Sequence, residues 1–332
     1  MRPPATWRPT SRPPCPRPSD SVRGVTPAPP SGRRGAWVAL GLGICVGATS
    51  FTLIKVALED LSPLALAAGR VCAAALAFLV VVTVQPWRRR PIAAQDRLAV
   101  VGCGLGLSAG FHLLYTWGQG RVSVTLGAIV LGCMPVVVAL LEVAFLRHRL
   151  GPAQTAGLLL CVGGAVATSL EASAGDGGSG VPLDVAGLLA VVAATVVWGG
   201  FSVVTRSLAD RYDPWWLNTP GTVAGALVML GLLATTGAWR DYSGLPAVVW
   251  GDVVWLGAVS SAFIYAVLAR AMQYLPATAV TSVSTLITPL GVLVGWAVLG
   301  ERPGPVAVLG GVAVVAGAVL VTRPAREAVP VP

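Results

Sequence analysis

Runs of apolar residues, separated by short polar, proline-marked or glycine-marked breaks, follow one another along the chain from Ala36 to Val321. An α-helix needs about 20 such residues to cross the hydrocarbon core of a bilayer. Ten runs reach or approach that length: 36–58, 63–84, 98–117, 123–146, 152–170, 185–207, 214–235, 250–270, 277–299 and 305–321. Pro63, Pro152, Pro214 and Pro305 each open a run, where a missing backbone N–H costs nothing. The pattern predicts an all-α polytopic membrane protein with ten transmembrane helices. A Gly- and Ser-rich stretch, 171–184, divides the runs into five and five.

Composition agrees. Hydrophobic residues make up 55% of the 332 and charged residues 11%, against about 25% charged in a soluble domain. Such a chain cannot cover its own surface in water. Residues 1–35 are different, with ten prolines and seven arginines; they predict a disordered cytoplasmic tail. A signal peptide is not expected, because the run after Arg33-Arg34 is about 20 residues long and further runs follow. Residues 323–332 predict a short cytoplasmic C-terminal tail.

The net charge of +9 does not form a patch for nucleic acid; the basic residues sit in loops between apolar runs. With the N-terminus inside, the cytoplasmic side holds 18 Lys and Arg and the outer side holds 3, Arg121, Arg240 and Arg302. The positive-inside rule then places both termini in the cytoplasm, in the plasma or inner membrane. The six cysteines form no CxxC pair, so neither a disulfide framework nor a metal site is expected, and no cofactor. The expected partners are membrane lipid and a small-molecule substrate, with a homodimer as a further option.

The halves resemble each other. Residues 47–55 align with 198–206 at an offset of 151, and Ser62-Pro63 meets Asp213-Pro214 at the same offset. Gln119 meets Gln273 and Pro135 meets Pro289 at 154; Gly157 meets Gly310 at 153. Each half carries five predicted spans, an odd number, so the second half enters the membrane from the opposite side. Two inverted five-helix repeats, 36–170 and 185–322, joined by an outer linker at 171–184, are the expectation. Secondary transporters recurrently use that design, with substrate at the repeat interface.

Several motifs carry a family resemblance: Trp198-Gly199 with Arg206, Phe51 with Lys55, Ser62-Pro63 with Arg70, the mid-span Pro135 and Pro289, and Leu299-Gly300-Glu301-Arg302. Their order, found twice over about 36–322, resembles the EamA family of the drug/metabolite transporter superfamily. The resemblance implies ten helices and export or exchange of small metabolites by alternating access. Gly47 stands where the first repeat would have Trp, Gly221 where the second would have the equivalent of Arg70, and Arg147-His148-Arg149 in place of Gly-Glu-Arg.

Candidate functional residues follow from cost. Charges within a span are expensive and point to function. Arg70, two turns into its span, either attracts an anionic substrate or pairs with Glu59 or Asp60. Lys55 and Arg206 either snorkel or form gating salt bridges. Glu142, the only carboxylate well inside a run, either couples transport to protons or pairs with Arg149. His112 either titrates or packs between helices. Pro135 and Pro289 weaken their helices at equivalent places, the sequence mark of a binding site or gate. Thr281 and Thr285 belong to a polar stripe on the ninth run. Tyr115 lies near a span end, and Trp198 and Tyr265 are deep aromatics suited to substrate stacking. An intramembrane enzyme would need a cluster of acid, base or nucleophile that two histidines and one deep carboxylate do not supply. A membrane scaffold would be expected to carry a folded soluble domain, and the sequence offers none.

Overall fold

The computed structural model describes residues 30–89, 91–146, 151–174, 184–208, 211–265, 267, 271 and 283–321. Residues 1–29, 175–183 and 322–332 lie outside the described residues, and residues 30–35 of the predicted N-terminal tail open the first helix. The regular elements among those described are helices: α1 (Pro30–Ala57), α2 (Pro63–Val84), α3 (Ala94–Gln119), α4a (Val124–Gly132), α4b (Met134–Leu146), α5 (Pro152–Ala174), α6 (Val185–Leu208), α7 (Pro214–Thr236), α8 (Ala247–Phe263), α9 (Ile287–Leu299) and α10 (Pro305–Val321). Taking α4a and α4b together, seven stretches are long and apolar enough to cross a membrane; α8, α9 and α10 are shorter apolar helices.

The helix starts show why these segments fold where they do. Ser62, Ser123 and Asp213 are N-caps whose side chains accept backbone N–H groups of Ala65, Leu126 and Trp215, satisfying donors that the first helical turn leaves free. Two helices end on a glycine in the left-handed region, α7 at Gly237 (φ 75°) and α9 at Gly300 (φ 68°), where a side chain would be strained.

The predicted fourth span is broken. A turn at Cys133 separates α4a from α4b, with Pro135 two residues further on. Proline has no N–H for the carbonyl one turn back, and Val136 N–H instead donates to the Cys133 carbonyl. A second turn at Thr285–Leu286 precedes α9 and Pro289. Two further irregularities were not expected. Within α3, Gly106–Phe111 is π-helical, and within α8 so is Trp255–Phe263. In the second segment the Ser261 hydroxyl donates five residues back, to the Leu256 carbonyl at 2.8 Å. The two segments occupy corresponding places in the halves.

Packing respects the duplication. Contacts join α2 to α7, α5 to α10 and α4a to α9; α1 to α9 and α4b to α6; α2 to α8 and α3 to α7; α3 to α6 and α1 to α8. Exchanging the halves maps this set onto itself. The closest approaches repeat the pattern at atomic detail. A Cβ built on Gly157 would lie 2.6 Å from the Gly317 carbonyl oxygen, and one on Gly164 would lie 2.5 Å from that of Gly310. These are the same crossing seen from each half. Likewise Gly104 abuts the backbone of Gly221, and Gly257 abuts the backbone of Arg70. Small residues let membrane helices approach this closely. Glycines four residues apart recur in the spans, at 43 and 47, at 102, 106 and 110, at 221 and 225, and at 291 and 295; Gly47, Gly221, Gly225, Gly291 and Gly295 meet neighbouring helices, whereas Gly102 faces open space.

The outward faces are apolar: Leu76, Leu159, Leu189, Leu227 and Leu309 are all exposed. Such a surface suits acyl chains and would associate in water.

Candidate functional site

A cavity of about 150 Å³ lies between the halves. Arg70, His112, Tyr115, Pro135, Trp198, Tyr265 and Thr285 line it, all drawn from the residues singled out in the sequence. Both helix breaks and both π-helical segments border it, through Gly132, Met134 and Thr285, and through Phe111, Ser260 and Ser261. A π-turn shifts every later side chain around the helix axis, which helps aim these residues inward.

Aromatic rings form one wall. Phe111 meets Trp198 edge-on at 4.6 Å between centroids and stacks on Tyr115 at 5.3 Å. Tyr265 extends the wall, 5.6 Å from Trp198. Small hydroxyl residues form part of the remainder. Ser50 and Ser260 hydrogen-bond to each other across the halves, and Thr288 donates to the Ala128 carbonyl at 3.3 Å.

Arg70 is the fixed charge of this site. It is 4% exposed, and its Nη1 donates to the Thr116 hydroxyl at 3.1 Å. Among the described residues that hydroxyl is its only hydrogen-bond partner, its Nε has none, and no carboxylate pairs with it. The pairing with Glu59 or Asp60 considered from the sequence is therefore absent. His112 Nδ1 and the Tyr115 hydroxyl are also buried without a partner among the described residues. Buried polar groups are normally satisfied, so three such groups around one cavity mark a place built for something else to bind.

Other candidates lie elsewhere. Lys55 does not line the cavity: its Nζ is 3.4 Å from Glu301 Oε1. Glu301, 6% exposed, accepts the backbone N–H of Val124 at 2.9 Å and of Thr125 at 3.4 Å, capping α4a from the other half. A carboxylate at a helix N-terminus is favoured by both the free N–H groups and the helix dipole. Glu171 does the same for α10, accepting from Val306 and Ala307 at 3.1 and 2.7 Å. Pro289 is half-buried on α9 and is not among the cavity-lining residues; it lies beyond the turn that its helix break makes. Thr281 lies outside the described residues, as do the side chains of Glu142 and Arg206.

The opposite end of the bundle carries its own clamp. Arg211 makes a bidentate pair with Asp96, at 2.8 and 3.3 Å, and the Tyr212 hydroxyl donates to Asp96 at 2.7 Å. At the Glu301 end, Asp184 caps α6 by accepting N–H from Ala186 and Gly187. The Gly187 N–H, then that of Ala186 and the Arg121 guanidinium, hold its carboxyl below the usual carboxylate range. Three or more His, Cys, Asp or Glu side chains gathered as for a metal do not occur among the described residues.

Sequence reasoning missed Ser50, Phe111, Ser260 and Ser261. Small hydroxyl residues and phenylalanines are ordinary in membrane helices; only the fold shows that these share a cavity.

Comparison with known proteins gives a consistent picture. The model of the EamA-like transporter family matches residues 33–170 and, a second time, 185–323. A probable terminal-alkyne amino-acid exporter of Streptantibioticus cattleyicolor is 26% identical over 285 residues, covering 86% of this chain and 92% of that one. An uncharacterized transporter of Archaeoglobus fulgidus is 25% identical, over 69% of this chain and 77% of its own length. A crystal structure of 21% identity superimposes with a TM-score of 0.59, over 89% of this chain and 99% of the other; it speaks to the fold alone.

Proposed function

The chain belongs to the EamA-like transporter family, and on that premise we propose that it is a secondary active transporter that exports or exchanges a small metabolite by alternating access. The observation that carries this reading is the cavity: it takes its walls from both halves and is bordered by a break or a π-turn in each. Irregular backbone in a membrane helix is tolerated where it is buried in protein or lines a cavity.

Two inverted five-helix repeats give such a cavity two related ways to open. The exchange symmetry of the helix contacts and of the paired glycine crossings supports that arrangement. Both termini face the cytoplasm, the Glu301 end faces outward, and the protein sits in the cytoplasmic membrane; the 18-to-3 distribution of basic residues supports this orientation. The exporter among the relatives favours outward movement of a molecule of amino-acid size.

Proteoliposomes test the reading. Purified protein is reconstituted with a panel of labelled amino acids, organic acids and amines inside, and efflux and counterflow are followed. Saturable, protein-dependent flux of at least one compound is expected. Cysteine accessibility of Ser260→Cys from both faces should change when substrate is added. Accessibility from one face only, under every condition, would sink alternating access.

A further inference from the structure

Among the described residues, the cavity contains a fixed positive charge and no fixed negative one. Arg70 is buried, keeps an unbonded Nε, and has one hydroxyl as its hydrogen-bond partner among the described residues. Among the described residues no Asp or Glu lines the cavity. A guanidinium has five N–H donors in a planar fork that matches a carboxylate with two parallel bonds. A buried cation with free donors is costly, and the cost is recovered when an anion arrives.

The rest of the cavity sets the size and polarity of what comes with that anion. Its volume of about 150 Å³ is close to that of an apolar protein cavity that admits a benzene-sized molecule. Phe111, Trp198 and Tyr265 present an aromatic wall to it, and the Tyr115 hydroxyl beside Arg70's cavity is a second free donor. An ammonium group would find the aromatic faces but no lining carboxylate, and would be repelled by Arg70.

Resting on the transporter reading above, we propose that this is a site for a small monocarboxylate anion. Arg70 holds the carboxylate, and the aromatic wall receives an apolar tail no larger than about one ring. The same cavity disfavours amines and ranks zwitterions below simple carboxylates.

Four probes that each carry a single phenyl ring test this: benzoate, phenylglycine, benzyl alcohol and benzylamine. Each is titrated against the full-length protein in detergent, with thermal stability as the readout, since a ligand that binds the folded state stabilises it. Benzoate should bind most tightly, phenylglycine next and benzylamine least. Arg70→Gln should weaken benzoate by about tenfold or more, the effect of losing a charge-assisted pair, and Arg70→Lys should recover part of the loss. If Arg70→Gln does not fold, the ranking on the unaltered protein still decides: benzylamine or benzyl alcohol binding as well as benzoate would overturn the proposal. So would a folded Arg70→Gln that binds benzoate as before. Counterflow of labelled benzoate separates the two levels. Binding without any flux leaves the anion site standing and removes the transporter reading. Arg70-independent flux of amines without benzoate binding does the reverse.

Discussion

Two buried charges, Arg70 and Glu301, sit in the same bundle and are treated in opposite ways. Glu301 has its carboxylate engaged by two backbone N–H groups and Lys55. Arg70 has one hydroxyl and a free Nε. Burial alone does not separate them, for they are 6% and 4% exposed. What separates them is whether the protein supplies the partners itself. A charge with its partners built in fixes geometry; a charge without them leaves work for a ligand.

The comparison can be broken by substitution. Glu301→Leu removes the cap of α4a and leaves Lys55 unpaired; by analogy with broken buried pairs it should cost about 3 kcal/mol, measurable by unfolding in mixed micelles. Gly164→Val, which forces the new Cβ against the Gly310 carbonyl, should cost about 2 kcal/mol by overpacking. It would show whether the α5–α10 crossing rivals the ionic cap in strength. Arg70→Met should go the other way, raising stability by about 1 kcal/mol because an unpaired buried charge is replaced by packing, while abolishing substrate-dependent stabilisation. A loss of stability in Arg70→Met would erase the contrast with Glu301. At the opposite end, Asp96→Asn breaks a pair whose Arg211 partner is half exposed and should cost about 1 kcal/mol or less.

The smallest effect concerns pH. Asp184 has a folded-state carboxyl below its ordinary value, so its contribution is present above the unfolded value and is lost as pH falls through the folded one. The Asp184→Asn variant should therefore show a flatter stability curve only below about pH 4, read by thermal melts from pH 6 to pH 3.

Much of this was legible in the sequence because the controlling physics is local. Span positions follow from apolar run length, and helix starts from Ser62, Ser123 and the prolines. The break near Pro135 follows from a missing donor. Arg70 stood out because an arginine inside an apolar run is expensive wherever the helix packs. The role of Glu301 was not legible: its cap lies 177 residues away in the chain, and no local pattern encodes that contact. Lys55 was read as a snorkelling or gating residue for the same reason. The π-turns left no trace either, since Gly106–Phe111 and Trp255–Phe263 have the composition of ordinary α-helix. The glycine crossing at Gly157 was visible only as the repeat mate of Gly310, and that at Gly164 not at all, until the helices were laid against each other.

The unpaired arginine also bears on energy supply. A carrier whose binding chamber holds one fixed positive charge is neutral when it moves outward loaded with a carboxylate and positive when it returns empty, so a full cycle transfers one net negative charge outward. An inside-negative membrane potential drives that movement, by about 2.3 kcal/mol for each 100 mV. On the anion-site proposal, the voltage across the membrane is itself a driving force for export.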